Sequence, residues 1–305
     1  MAETENSKES LPSLIAKFEV IRRDVTSREN NEPVEDHVST QVPISALAQL
    51  PIWPDSVRGV PNSVLRSALF GAIKRGKRAF MLRVQLAAVD GVTVLFTGPR
   101  LNQSDLDVWE QCIHIARKNE LGTLIRFAAY GFLKAIGKNT SGANHEWLKG
   151  AFARLASSVV EIKDGKKAYF GPMIHHGTRD DESGQYCIEI NPAIASLYGK
   201  DGWSQSEWAQ RQALKGLPIA QWLHGFYITH AEPYSLKVST IHRLCGSEAK
   251  LMKHFREELR EALGKMGFIT GWKCEINAND LVYIQKKPTA SQSRYLIENK
   301  PNRAN

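Results

Sequence analysis

Two Asp-Gly dipeptides, Asp90-Gly91 and Asp164-Gly165, stand between runs rich in β-branched and aromatic residues, and they constrain the fold more than any other feature. A two-residue turn of this kind needs positive φ angles, which Asp-Gly tolerates, and it joins two antiparallel strands. "AFMLRVQLAAVDGVTVLFTG" therefore reads as one hairpin and "VVEIKDGKKAYFGPMIHHG" as another, with "GQYCIEINP" as a further strand after the polar loop Thr178 to Ser183. Between the hairpins the apolar period changes to that of helices. "QSDLDVWEQCIHIARKN" has Ser104 as its N-cap, "LIRFAAYGFLKAIG" follows, and "NHEWLKGAFARLASS" has Asn144 as cap. "PNSVLRSALFGAIKRG", ahead of the first hairpin, also reads as a helix.

Helices that lead into a hairpin give the order of a winged helix, and the order recurs. After the joining segment "YGKDGWSQSEWAQRQALKG" come the helix "LPIAQWLHGFYITH", a short helix "STIHRLC" capped by Ser239, a Gly246-Ser247 turn and the long helix "EAKLMKHFREELREALGKM". "FITGWKCEI", "NAND" and "LVYIQKK" then make a closing hairpin. The expected fold class is α+β, with two tandem winged-helix domains (a helix-turn-helix plus a β-hairpin wing) behind a disordered N-terminal leader. The boundaries are leader 1–52, first domain 53–200, second domain 201–287 and polar tail 288–305. The leader is rich in Glu, Ser, Asn and Thr, and only Leu11 to Asp24 has a short amphipathic pattern.

Charge is distributed along the same boundary. Residues 1–57 hold 5 Lys/Arg and 10 Asp/Glu, which leaves 35 against 22, or +13, for the remainder of a chain whose net charge is +8. A basic folded part suits a polyphosphate partner, although charge alone does not specify one. In the long helix, Met252, Phe255, Leu259, Ala262, Leu263 and Met266 form a single apolar stripe, and Lys250, Lys253, Glu257 and Arg260 lie opposite, flanked by Arg256. Alone, that face would be a solvated helix surface. As the second helix of a helix-turn-helix it would enter the major groove of duplex DNA. Ser247, Lys250, Lys253, His254 and Arg256 are then the leading base or phosphate contacts, Arg260 a backbone contact, and Lys286 and Lys287, at the end of the wing, sit beside the duplex. In the first domain the outward cations are Lys149 and Arg154 on the second helix and Lys163, Lys166 and Lys167 around the Asp164-Gly165 turn. Either DNA contact or dimer formation would account for them.

Enzymatic motifs fail on context. "GAIKRGKR" spells G-x-x-x-x-G-K but has Arg78 where a P-loop needs Ser or Thr, and a helix precedes it where a strand should. His175 and His176 are adjacent on a strand, so alternation should send them to opposite faces, away from a shared metal. Cys112, Cys187, Cys245 and Cys274 are scattered without C-x-x-C spacing, which suggests neither zinc nor disulfides. No cofactor or catalytic group is expected. No run approaches the ~18 apolar residues of a membrane span and the N-terminus has no signal-peptide core, so the expected location is the cytoplasm, with no membrane partner.

"WPDSVRGVPNSVLRSALF" (Trp53 to Phe70), "VTVLFTGPRLNQSDLDVWEQCIHIARK" (Val92 to Lys118) and "EPYSLKVSTIHRLCGS" (Glu232 to Ser247) resemble the TrfA family of plasmid replication initiators from broad-host-range plasmids. The resemblance spans roughly Trp53 to Lys287. It implies two winged helices that bind direct repeats, called iterons, in double-stranded origin DNA as a monomer, with an inactive dimer in copy control. It also implies opening of an AT-rich segment, which brings in single-stranded DNA, and recruitment of host DnaA, the DnaB helicase and the polymerase sliding clamp. Gln49-Leu50-Pro51-Ile52-Trp53 fits a clamp-binding peptide with Gln49, Leu50, Ile52 and Trp53 as anchors. A structural role for this stretch and a clamp role for "QVPIS" (Gln41 to Ser45) are the alternatives. A self-repressing transcriptional regulator, a replisome adaptor acting mainly through the clamp and a nicking enzyme are the competing functions.

Overall fold

The computed structural model describes residues 48–298 apart from Arg75, Lys166 and the side chain of Lys167. The described residues belong to one compact unit. The leader up to residue 47, including Leu11 to Asp24 and Gln41 to Ser45, lies outside the described residues, as does the tail from residue 299.

The unit is a mixed α/β structure with two hydrophobic cores. It begins with β1 (Val57–Pro61), α1 (Asn62–Leu65), β2 (Phe70–Gly71), β3 (Phe80–Leu86), β4 (Val92–Pro99) and β5 (Leu101–Asn102). The single helix expected from Pro61 to Gly76 breaks after one turn. Ser67 bridges Ala88, the Ala68 amide donates to Ala87, and β2 pairs in parallel with β5. β3 and β4 pair antiparallel as expected, but the ladder ends at Leu86 and Val94, so Asp90 and Gly91, the latter at φ 87, belong to a longer loop than a two-residue turn.

α2 (Gln103–Ala116) starts one residue before the expected cap Ser104, because Asn102 and Asp105 make a capping box. The next helical stretch is mixed: β6 (Ile125–Ala128) precedes α3 (Ala129–Ala135). Ile125 is buried while Arg126 is exposed, a period of two that lets β6 pair with a later strand. α4 (Gly142–Ser157) begins after Ser141, so Asn144 is inside the helix and does not cap it. The second Asp-Gly turn joins β7 (Val159–Asp164) to β8 (Lys167–Pro172), which completes an antiparallel sheet of order β3-β4-β7-β8. β9 (His176–Asp180) takes in part of the expected loop and pairs with β10 (Gln185–Glu189), in the order β6-β10-β9. Trp109, Ile113, Leu133, Leu148, Leu155, Val160 and Ile162 fill the first core.

A 3₁₀ turn (Pro192–Tyr198) leads to β11 (Trp203–Glu207) and α5 (Trp208–Ala213), both within the segment read as a joint. β11 pairs antiparallel with β1. α6 (Pro218–Ile228), β12 (Leu236–Lys237), α7 (Val238–Leu244), α8 (Met252–Thr270), β13 (Lys273–Ile276) and β14 (Leu281–Gln285) follow. The residue before α7 is Lys237 rather than Ser239, and the Val238 amide is satisfied by the Asp280 carbonyl at 3.0 Å. α8 starts at Met252, later than the sequence suggested, and continues through Phe268 to Thr270, which had been read as strand. Gly271, at φ 72, ends it with an αL cap. Trp222, Phe226, Ile241, Phe255, Leu259, Met266, Val282 and Ile284 form the second core. α9 (Ala290–Glu298) occupies the expected polar tail.

The cores meet through buried charge. Arg211 on α5 is fully buried, with Nε 2.8 Å from Asp107 Oδ1 and 3.0 Å from Glu110 Oε2, both on α2. Burial pushes the Glu110 carboxyl up to about 7. Arg211 keeps its charge, because two carboxylates offset its desolvation.

Candidate nucleic-acid interface

α7 and α8 are joined by residues 245–251, a longer connection than the expected Gly246-Ser247 turn. Ser247 and Lys250 therefore belong to the connection, and Lys253, His254, Arg256 and Arg260 to the helix. Phe255, Leu259, Ala262, Leu263 and Met266 are buried, as the apolar stripe requires. Lys250, Lys253, His254 and Arg260 are exposed, and none has an ion pair with a described residue. Gly246 sits at φ 61, and a Cβ there would meet Ala68 Cβ at 3.1 Å and Arg100 Nη2 at 2.7 Å. The turn needs glycine for both reasons.

Arg256 has a different position from its neighbours. Its Nε and Nη2 donate to the two Asp280 oxygens at 2.9 Å each, a bidentate pair that raises its own pKa and lowers that of Asp280. Asp280 also accepts, through its carbonyl, from the first amide of α7. One residue of the β13–β14 turn thus holds both helices, and the pair leaves Arg256 only its remaining guanidinium donors for a ligand. The turn itself, Asn277 to Asp280, carries no cation; the Asn277 side chain accepts from the Asn279 and Leu281 amides. Lys286 and Lys287 follow β14 at the opposite end of the hairpin from this turn. Lys287 is exposed, whereas Lys286 donates to Gln292 Oε1 on α9 at 2.9 Å and lies 5.6 Å from the Trp272 ring centre. Burial pulls Lys286 down to about 8.

A cationic neighbour of α8 escaped the sequence reading. The segment after β2 crosses to the second core, where the Ala72 amide donates to the Cys245 carbonyl at 2.7 Å and Lys74 pairs with Glu258 on α8 at 2.5 Å. Arg100 adds a pair with Glu248 at 2.8 Å and a bond to the Gly246 carbonyl. Lys77 is exposed on this segment. The signal was the basic run "KRGKR", considered only as a phosphate loop; the described part of Ala72 to Ala79 forms neither helix nor strand.

In the first half the corresponding cations are occupied. Lys149 on α4 lies 2.8 Å from Glu146 and 3.1 Å from Asp181, and these hydrogen bonds raise its pKa. Arg154 reaches buried Asp105 Oδ1 at 2.7 Å, and Arg78 approaches the other Asp105 oxygen at 3.6 Å. Lys163 is exposed at the end of β7, while Lys166 and the Lys167 side chain lie outside the described residues.

The Gln49-to-Trp53 stretch is laid on the first core. Leu50 and Trp53 are buried, Ile52 is 78% exposed, and Gln49 bridges Glu120. The Trp53 indole donates to His114 Nδ1 at 3.1 Å and lies over Gly59, where a Cβ would meet ring carbon at 2.6 Å. Two apolar anchors of the clamp peptide are therefore turned inward, and only Gln49 and Ile52 remain outside. Burial holds His114 near 4, which keeps its Nδ1 free to accept that bond. The histidine pair also departs from expectation. His175 precedes β9, so strand alternation does not apply to it, and both rings turn toward Glu189.

These features define a mixed α/β chain whose second core presents an exposed, cation-bearing helix beside a hairpin. A family model described as TrfA protein matches residues 27–286, and the chain belongs to that family. The plasmid replication initiator protein TrfA of Escherichia coli is 25% identical over 218 residues, 69% of this chain and 56% of that protein. The chain thus spans about half the length of this curated relative. Domains 2 and 3 of RctB share the fold, with a TM-score of 0.51 at 10% identity over 74% of this chain and 96% of that structure. The Pi initiator protein in complex with iteron DNA gives 0.45 at 12% identity, over 65% and 99%. Among the described residues no helix is long and apolar enough to cross a membrane.

Proposed function

We propose that the chain is a plasmid replication initiator that binds direct repeats at its origin, with α7, α8 and the β13–β14 hairpin acting as a winged helix on duplex DNA. The exposed row Lys250, Lys253, His254 and Arg260, without an ion pair to any described residue, carries this reading. Lysine and arginine so placed are free to displace counterions from phosphates, and residues near the start of the second helix are placed to reach base edges. Ser247 precedes the helix on the connection, Lys77 is exposed on the segment that Lys74 ties to α8, and Lys287 adds charge at the foot of the hairpin. Arg256 serves first to fix the turn. Residues 53–200 are a first winged helix in this reading and 201–287 a second. With Lys149 and Arg154 already paired, the first one contributes through Lys163, Lys166 and Lys167 or through self-association. The protein acts by binding rather than by chemistry, in the cytoplasm. Opening of AT-rich DNA and recruitment of DnaA, DnaB and the sliding clamp extend the reading to the host. Burial of Leu50 and Trp53 favours the structural role of their segment, so clamp recruitment would draw on another site.

The test is binding of the full chain to a duplex carrying the direct repeats beside its gene and to a scrambled duplex, at several salt concentrations. Preference for the repeats, with a salt slope that falls by about 1 for each lost phosphate contact in Lys253→Ala and Arg260→Ala, is the expected result. Equal affinity for both duplexes and unchanged slopes would remove α8 from the interface.

A further inference from the structure

We propose that His175, His176 and Glu189 form a surface site for a divalent transition-metal ion of the zinc class. His175 Nδ1 lies 2.9 Å from Glu189 Oε1, and His176 Nε2 lies 3.4 Å from Glu189 Oε2. One donor atom from each of the three residues can be chosen so that all lie within 4.8 Å of one another. Two imidazoles and a carboxylate are a donor set that zinc-class ions take, with water completing the shell. Zinc binds such donors at about 2.0–2.1 Å, which puts tetrahedral donors about 3.4 Å apart. The two His–Glu separations, one to each carboxylate oxygen, are near that scale, and the 4.8 Å limit on the three donors leaves a short distance to close.

The backbone presets all three residues. Glu189 faces His176 in the β9–β10 ladder, and the His175 amide donates to the Glu189 carbonyl at 3.0 Å. The preceding bend is fixed from the other side, because the Met173 carbonyl accepts from the buried Trp109 indole at 3.0 Å. Among the described residues, Glu189 has no Lys or Arg partner, so its charge faces only the two rings. The rings are about half exposed, at 48% and 57%, which leaves the open side accessible to a hydrated ion. A bound ion would tie the bend after β8 to the end of β10. The inference is independent of the DNA-binding reading.

The experiment uses the full chain, stripped with a chelator and titrated with Co²⁺ at neutral pH, followed by its visible d–d absorption and by calorimetry. Expected are one ion per chain at saturation, displacement by Zn²⁺, and a metal-dependent rise in Tm. Glu189→Gln and His176→Asn should each weaken binding at least about tenfold and remove the Tm rise, while His145→Asn leaves both unchanged. Metal-free Tm values verify that each variant folds; if Glu189→Gln does not fold, the exposed His176→Asn decides. Absence of saturable binding, binding that survives in a folded Glu189→Gln or His176→Asn chain, or equal loss in His145→Asn would overturn the site.

Discussion

α4 and α8 occupy comparable places, each a long helix ahead of a hairpin, yet their cations have opposite fates. On α4, Lys149 and Arg154 are held by Glu146, Asp181 and Asp105. On α8, Lys253 and Arg260 face solvent without an ion pair to any described residue, while Arg256 is held by Asp280. The same residue types therefore contribute to folding in one region and remain available for a ligand in the other. Net charge alone could not distinguish them, since a paired cation offers little field to a phosphate.

The strongest way to disturb both regions at once is at their joint. Arg211→Met should destabilise the chain by about 3–5 kcal/mol, because Asp107 and Glu110 would stay buried without their counter-charge. Urea unfolding measures it, and a loss confined to one core would mean that the cores are energetically separate. Next comes a direct contrast on DNA: Lys253→Ala with Arg260→Ala should weaken repeat binding roughly tenfold to a thousandfold, whereas Lys149→Ala with Arg154→Ala should change it little if correctly folded. Equal losses in the two double variants would erase the distinction.

Smaller effects sharpen it. Arg154→Ala should cost about 1–2 kcal/mol of stability, since buried Asp105 Oδ1 loses its partner while Oδ2 keeps the Asn102 amide and the longer contact with Arg78, and Lys253→Ala should leave Tm unchanged. Acid titration separates the regions least, because it acts on both. Burial lowers His114 and His230 to about 4 and His224 to about 3, against an ordinary 6.5. The unfolded chain binds more protons below 6.5, so this stability is complete above that pH and is lost as the pH falls toward the folded values. Glu110, raised from 4.5 to about 7, opposes the trend between those values, since its contribution is lost as the pH rises. Asp107, also raised by burial, acts in the same direction as Glu110, so three histidines stand against two carboxylates and the net change is a loss toward acid. His224→Gln should remove about one proton from the slope, read from unfolding at a series of pH values.

Local chemistry made much of the fold legible. Asp90-Gly91 and Asp164-Gly165 mark their hairpins because each supplies a glycine with the positive φ that its connection uses. The α8 stripe is legible because one face of one helix repeats at its own period. Asn102 and Asp105 were within reach of the same logic, since a capping box is local, and Ser104 simply competed for the cap. Other features depended on partners far along the chain. Ile125–Ala128 is a strand because β10 offers it a ladder, and the stretch after Leu65 turns away from helix because Ala87 and β5 take its backbone bonds. The candidate interface divides in the same way. The sequence by itself determined which cations lie on the outer face of α8, but only the tertiary structure decided that Arg256 belongs to Asp280, Lys286 to Gln292 and Arg154 to Asp105. It likewise turned Leu50 and Trp53 into the core and both histidines toward Glu189. Ion pairing and burial are set by what packs across long separations in the chain, and periodicity carries no record of that.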